Sequence, residues 1–297
     1  MSTNLALERV GPDRCAVGEC PLWSVGEQAW YWVDIVAKTI WRLDAASGAV
    51  RHWVAGEMVA CIAPQESGGM IAGMESGLFS LGLGEGGAVQ HQLLAKPAAL
   101  GAGMRFNDGR CDRQGRFWSG TMVMDMSLAR PDGKLYRYSG GQGLSKPFVE
   151  GLLTQNGLAF SPDGRTMYLS DSHPQSQQVW AFDYDLDTGT PSGQRLFVDM
   201  RGYPGRPDGA AIDADGCYWI CGNDEGCILR FTPDGRLDRK IDLPMAKPSM
   251  CSFGGANLDT LLVTSIGAGQ DPADAWAGAT VLLNPGVQGV AEACFRG

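Results

Sequence analysis

A phrase of roughly 40 to 50 residues recurs along this chain, and a repeat of that period leaves few architectures open. Each copy opens with a short apolar run and a turn of the D-x-x-G or S-P-D-G kind. A second run rich in Trp or Tyr follows, then a loop, then a third run ending in an aromatic and Arg or Asp. NGLAFSPDGRTMYLSDSHPQSQQVWAFDYD from Asn156 and DGAAIDADGCYWICGNDEGCILRFTPDG from Asp208 show the order plainly. ECPLWSVGEQAWYWVDIVAKTIWRLDAASG from Glu19 and NDGRCDRQGRFWSGTM from Asn107, resuming at GKLYRYS, repeat it. A weaker copy runs from about residue 60, and the last begins near Pro248 with SMCSFGGANLDTLLVTS. Starts near residues 19, 60, 107, 156, 208 and 248 make six copies.

The apolar runs are four to six residues long and bounded by Gly, Asp, Asn or Pro, which is strand patterning; helical periodicity is poor. The 42 glycines, with no low-complexity stretch among them, fit many tight turns. Six four-stranded antiparallel blades in one ring, an all-β six-bladed β-propeller, bury the faces and edges that a single blade would expose. All 297 residues are therefore read as a single domain (1–297). The segment LALERV precedes the first copy and is placed to pair with the C-terminal strands and close the ring.

The ring decides which side chains meet. In a propeller blade the innermost strand comes first, so the residues that begin it lie at one mouth of the central channel. Here those positions carry Glu19, Asn107, Asn156 and Asp208, with Arg105 two residues before Asn107. Loops after the second strands add Asp34, Asp125, Asp171, His173, Asn223 and Asp224 as wall residues. Carboxylates and amide oxygens converging without His or Cys make a hard-cation site suited to Ca²⁺, Mg²⁺ or Mn²⁺. Without an ion, two buried carboxylates side by side would force one to hold a proton. The competing interpretation is that N-D-G, N-G and D-G are simply turn residues. Glu19 has no such explanation, and the shared register favours a site.

Composition narrows the function further. A net charge of −9 and a pI near 4.8, with no Lys/Arg-rich block, leave no footprint for nucleic acid or for an anionic membrane surface. No apolar stretch approaches the length of a membrane span, and MSTNLALERV has no secretory pattern. Nine scattered cysteines, an odd number, read as reduced thiols in a cytoplasmic protein. Cys217, Cys221 and Cys227 lack the paired spacing of a zinc site and read as buried thiols. Trp30, Trp32, Trp118 and Trp219 read as blade core. The chain has three His and no G-x-S-x-G or H-E-x-x-H, which argues against a Ser-His-Asp triad. His173, before Pro174, reads as a solvent-facing loop residue more readily than as an auxiliary proton donor.

At these same residues the sequence resembles the SMP-30/gluconolactonase (regucalcin-like) family. The matching stretches are GECPLWSVGEQAWYWVDI, RFNDGRCDRQGRFWSGTM, NGLAFSPDGRTMYLSDS, AFDYDLDTGT, PDGAAIDADGCYWI and CSFGGANLDTLLVTS, in family order over nearly the whole chain. The resemblance implies a hydrolase with one divalent metal ion, Ca²⁺ first and Zn²⁺, Mn²⁺, Mg²⁺ or Fe²⁺ as alternatives, acting on a small-molecule sugar lactone. It implies metal ligation by Glu19, Asn156 and Asp208, with Asp208 also the catalytic acid/base. Arg105 and Asn107 would orient the substrate. Where regucalcin-related members carry a substrate-contacting Glu, this chain reads GTMVMDM, placing Met124 and then Asp125 there. Cys20, after Glu19, is read as a small apolar substitute. A broader metal-dependent esterase or phosphotriesterase, and a non-catalytic metal-binding propeller, are the alternatives.

Overall fold

The computed structural model describes residues 6–12 and 14–297. Alternation of short β-prone runs with Gly- and Asp-rich turns produces six antiparallel sheets, each a meander in which sequence neighbours pair. The innermost strands are Gly18–Ser24, Val59–Pro64, Met104–Cys111, Gln155–Phe160, Arg206–Ile212 and Pro248–Gly254, one for each of blades one to six. All six agree with the starts expected from the repeat, and the result is a six-bladed β-propeller.

The sixth blade takes its outer strand from the other end of the chain. Glu8–Val10 pairs antiparallel with Thr280–Leu283, with Arg9 opposite Val281. This fulfils the expected closure for the described part of LALERV; Leu5 lies outside the described residues. Blade three departs from the four-strand pattern. Its outer strand is split into Gly143–Leu144 and Val149–Leu152, both paired to Gly133–Ser139. Pro147 lies in the gap, where its missing N–H cannot continue a ladder.

Blades pack face to face through aromatic side chains. Trp32, Trp118 and Trp219 are fully buried, and truncating a buried Trp typically costs about 3–5 kcal/mol. Trp219 meets Phe253 of the next blade edge-on at 5.7 Å, and Tyr168 meets Tyr218 across the blade four–five seam at 5.0 Å. Eight of the nine cysteines are buried and all nine are free thiols. Among the described residues no helix is long and apolar enough to cross a membrane.

The two ends of the channel differ. Beyond blade six the C-terminal segment crosses the end formed by the first hairpin turns. Gly289 bridges to Asp213, Glu292 receives a 2.5 Å hydrogen bond from Arg110, and the amide of Phe295 donates to Pro64 O. The strap covers that end, and the inner strands begin at the opposite one.

Candidate metal centre at the open mouth

Every inner strand breaks register with its neighbour within its first few residues. The shifts fall at Glu19/Leu22, Val59/Cys61, Phe106/Gly109, Asn156/Ala159, Pro207/Ala210 and Pro248/Cys251. A bulge turns side chains that would alternate between sheet faces toward one point. Glu19, Asn107, Asn156 and Asp208 all lie at or inside these bulges. Cys20 takes a left-handed φ of 46° to make the first one. At the corresponding place in blade four stands Gly157, with φ 60°. A Cβ there would lie 2.5 Å from both Ser170 Oγ and Tyr218 Oη, which explains N-G at that site.

The predicted ligands are buried: Glu19, Asn156 and Asp208 are 9%, 4% and 4% exposed. Burial, then the neighbouring Asp208 and Asp108 charges, push Glu19 well above the usual carboxylate range. Burial likewise pushes Asp208 up to about 7, against the opposing pull of Arg206 and a hydrogen bond from Asn223. The Asp208 charge thus acts on Glu19, which lies far from it in sequence. Arg105 is half-buried, and the Glu19 and Asp208 charges favour its cationic form against burial.

Two further atoms mark the spot. Asn156 Oδ1 and Asp108 Oδ1 are buried and have no hydrogen-bond partner. Gln155 beside them is fully buried with both side-chain polar atoms unpaired. Orphaned acceptors at buried positions cost free energy unless something meets them. An ion with bound water would meet them. The donor set fits a hard divalent cation: two carboxylates and an amide oxygen, with room in the 6–8 oxygen shell for water or substrate. Among the described residues no group of three or more His, Cys, Asp or Glu forms a metal cluster.

Other buried acids behave differently. Asp112 receives Arg116 Nε at 2.6 Å and Tyr184 Oη at 2.5 Å. Asp213 receives Trp219 Nε1 at 2.8 Å and Arg230 Nε at 2.7 Å. Both lie in the first-hairpin turns at the strapped end and are saturated by protein donors. A buried acid with its bonds filled is structural; the unfilled ones cluster at the open mouth.

The remaining predicted residues divide. Asn107 bridges blades, accepting from Arg105 Nη1 at 2.6 Å and donating to Gln155 O at 2.6 Å. Asn223 donates to Asp208 Oδ2 at 2.6 Å and belongs to the centre. Met124 is half-buried at the mouth. Asp125 is exposed and caps a short turn, accepting from Ser127 N and Oγ. Asp34 and Asp171 are not open wall residues: each grips three backbone amides, Ala16, Val17 and Ala37 for the first and Leu153, Thr154 and His173 for the second. Asp224 pairs with Arg206 and Lys247. His173 is buried, contrary to the solvent-facing reading. Its Nδ1 accepts from Gln175 N and its Nε2 lies 3.1 Å from Met126 O, which ties down the loop that carries Met124. Cys20 is more than an apolar filler: its Sγ accepts from Ile62 N and donates to Ile62 O, joining blades one and two.

Sequence reasoning missed Asp108, Gln155 and Arg206. Asp108 was hidden inside N-D-G, a turn signal. Arg206 had a usable signal, since it precedes Asp208 by two residues as Arg105 precedes Asn107. A cavity of about 530 Å³ lies away from this centre beside Tyr31, Arg42, Trp53 and His91. Arg42 there is already bound to Glu27, Tyr31 and Asp44, so we place no chemistry in it.

The architecture and centre define a propeller with an acid-rich oxygen-donor mouth. The family model described as SMP-30/Gluconolactonase/LRE-like region matches residues 17–267, and the chain belongs to that family. It is 38% identical to a 6-deoxy-6-sulfogluconolactonase of Pseudomonas putida, over 99% of this chain and 100% of the relative. It is 32% identical to regucalcin of Macaca fascicularis, again over 99% and 100%. Among solved structures, a calcium-binding regucalcin from Agrobacterium tumefaciens is similar with a TM-score of 0.90 at 27% identity, covering 98% of each chain.

Proposed function

We propose that the protein is a divalent-metal-dependent hydrolase that opens the ring ester of a sugar lactone. The observation that carries this reading is Asn156 Oδ1, a buried acceptor without a partner, on the inner strand that packs against the one bearing the buried Asp208. Lactonase relatives of full length support the substrate class, and the calcium-binding structural relative supports the ion.

Glu19, Asn156 and Asp208 would hold the cation. A divalent cation held there supplies Lewis acidity toward a lactone carbonyl and acidifies water. A lactone is an activated ester, so no covalent nucleophile is required of the chain. Asp208 takes a proton from the attacking water and delivers it to the ring oxygen as the C–O bond breaks. Without an ion, burial pushes this carboxyl up to about 7; a bound cation would favour its ionised form, the form that accepts the proton. Arg105 spends only Nη1 on the protein; among the described residues Nε and Nη2 have no hydrogen-bond partner. Those donors face the charge that develops on the carbonyl oxygen. Met124 stands where related members present a carboxylate, so this mouth offers an apolar contact at one substrate position.

The test is acid release from a panel of aldonolactones, before and after chelation and with Ca²⁺, Mn²⁺, Mg²⁺ and Zn²⁺ added back. Turnover is expected to need an ion, to exceed that of aryl esters, and to fall at least about 100-fold in Asp208→Ala. Undiminished turnover in that folded variant would refute the assignment.

A further inference from the structure

Asn223 is fully buried and sits between two partners of opposite demand. Its Nδ2 donates to Asp208 Oδ2 at 2.6 Å and to Pro248 O at 3.3 Å. Its Oδ1 accepts from Arg206 Nη2 at 3.2 Å. The two ends of an amide have nearly the same shape, so sterics alone do not choose its orientation. A flipped Asn223 would set oxygen against the Asp208 carboxylate and NH₂ against the guanidinium, unfavourable on both sides. The guanidinium, which has no acceptor, and Pro248 O, which has no donor, both select the end that faces Asp208.

Arg206 is itself immobilised. Its Nε donates to Asp224 Oδ2 at 2.6 Å, and its Nη1 donates to Ser172 O at 3.0 Å and to Ser172 Oγ at 3.2 Å. It begins the strand that carries Asp208 and lies directly opposite Asn223 in the ladder. An exposed Arg206–Asp224 pair would need only one guanidinium nitrogen and would contribute little. The third nitrogen, aimed at a buried amide, serves no purpose in that pair.

We infer that Arg206 is a positioning residue for Asp208, acting through Asn223. This inference rests on the assignment of Asp208 as ion ligand and proton carrier. The relay commits Oδ2 of Asp208 to an N–H donor and leaves Oδ1 for an ion or a water. Arg206 touches neither ion nor substrate in this scheme.

A double-mutant cycle tests it with Arg206→Met, Asn223→Ala and the double variant, in the full chain. Two readouts are taken: CaCl₂ titrated calorimetrically into EDTA-treated protein, and kcat and KM for gluconolactone. Melting curves confirm that each variant is folded. Loss of a partner that orients a ligand typically costs about 10- to 100-fold. We expect each single variant to lose about 10-fold or more in Ca²⁺ affinity and in kcat, with KM within about twofold. The double variant should be no worse than Asn223→Ala, because the path runs through that amide. Losses that multiply in the double variant would show a direct electrostatic effect of Arg206 and overturn the inference. So would an Arg206→Met protein that binds Ca²⁺ and turns over like the wild type. If the wild type itself binds no ion and opens no lactone, the underlying assignment fails and this inference with it.

Discussion

At the scale of single residues, what separates the structural acids from those proposed to react is whether their oxygens are filled. Asp112 and Asp213 meet Trp, Tyr and Arg donors at 2.5–2.8 Å. Asp208 has one oxygen held by Asn223, and Asp108 and Asn156 each have an oxygen with none. Asp213→Ala should therefore destabilise without touching ion binding. It leaves Trp219 Nε1 and the Arg230 Nε unmet in the core, a loss of about 3 kcal/mol. Calorimetric melting should show a lowered midpoint, while Ca²⁺ affinity measured below that midpoint stays within about twofold; a melting midpoint equal to wild type would contradict this. Glu19, Asn156 and Asp208 were legible in the sequence because each stands at the same place in its repeat. Asp108 was not, because its neighbours Asn107 and Gly109 make an ordinary turn signal. Nor could residue types show that His173 is buried: only the packing of the Met126 loop against it decides that.

At the scale of elements, the bulge at the head of each inner strand is the device that gathers side chains. A strand alternates, so Arg105 and Asn107 share a face while Phe106 takes the other; the extra residues that follow re-aim the chain. Blade four does this through Gly157. Gly157→Ala must adopt φ near 60° and push its Cβ toward Ser170 Oγ and Tyr218 Oη. The expected cost is about 1–3 kcal/mol, with weakened Ca²⁺ binding because Asn156 is adjacent. Unfolding and calcium titration of this variant should shift together; a variant with full stability and full affinity would show that the bulge does not set the site. The blades themselves were legible, since apolar runs and turn residues alternate with a fixed period. The bulges were not, because register is a relation between two strands and no single run of residues states it. The split outer strand of blade three was foreshadowed only by Pro147.

At the scale of the whole molecule, ring closure converts sequence separation into contact. Glu8–Val10 completes the last blade, and the C-terminal segment from Gly289 to Phe295 straps the far end. The buried Glu19, Asn156 and Asp208 lie toward the opposite end, where the inner strands begin. The order of blades and the N-terminal closure could be anticipated from the repeat; the strap could not, because residues 285–297 lie beyond the last copy and carry no repeat signal. Binding an ion to the closed ring but not to the unfolded chain stabilises it by mass action. All of this depends on Glu19, Asn156 and Asp208 sharing one cation. The direct measurement is calorimetric titration of CaCl₂ into EDTA-treated wild type and Asn156→Leu, both checked for folding. One ion per wild-type chain, bound at least about tenfold more weakly by the variant, is the predicted result. Equal affinity in the two proteins, or no binding to the wild type, would contradict it.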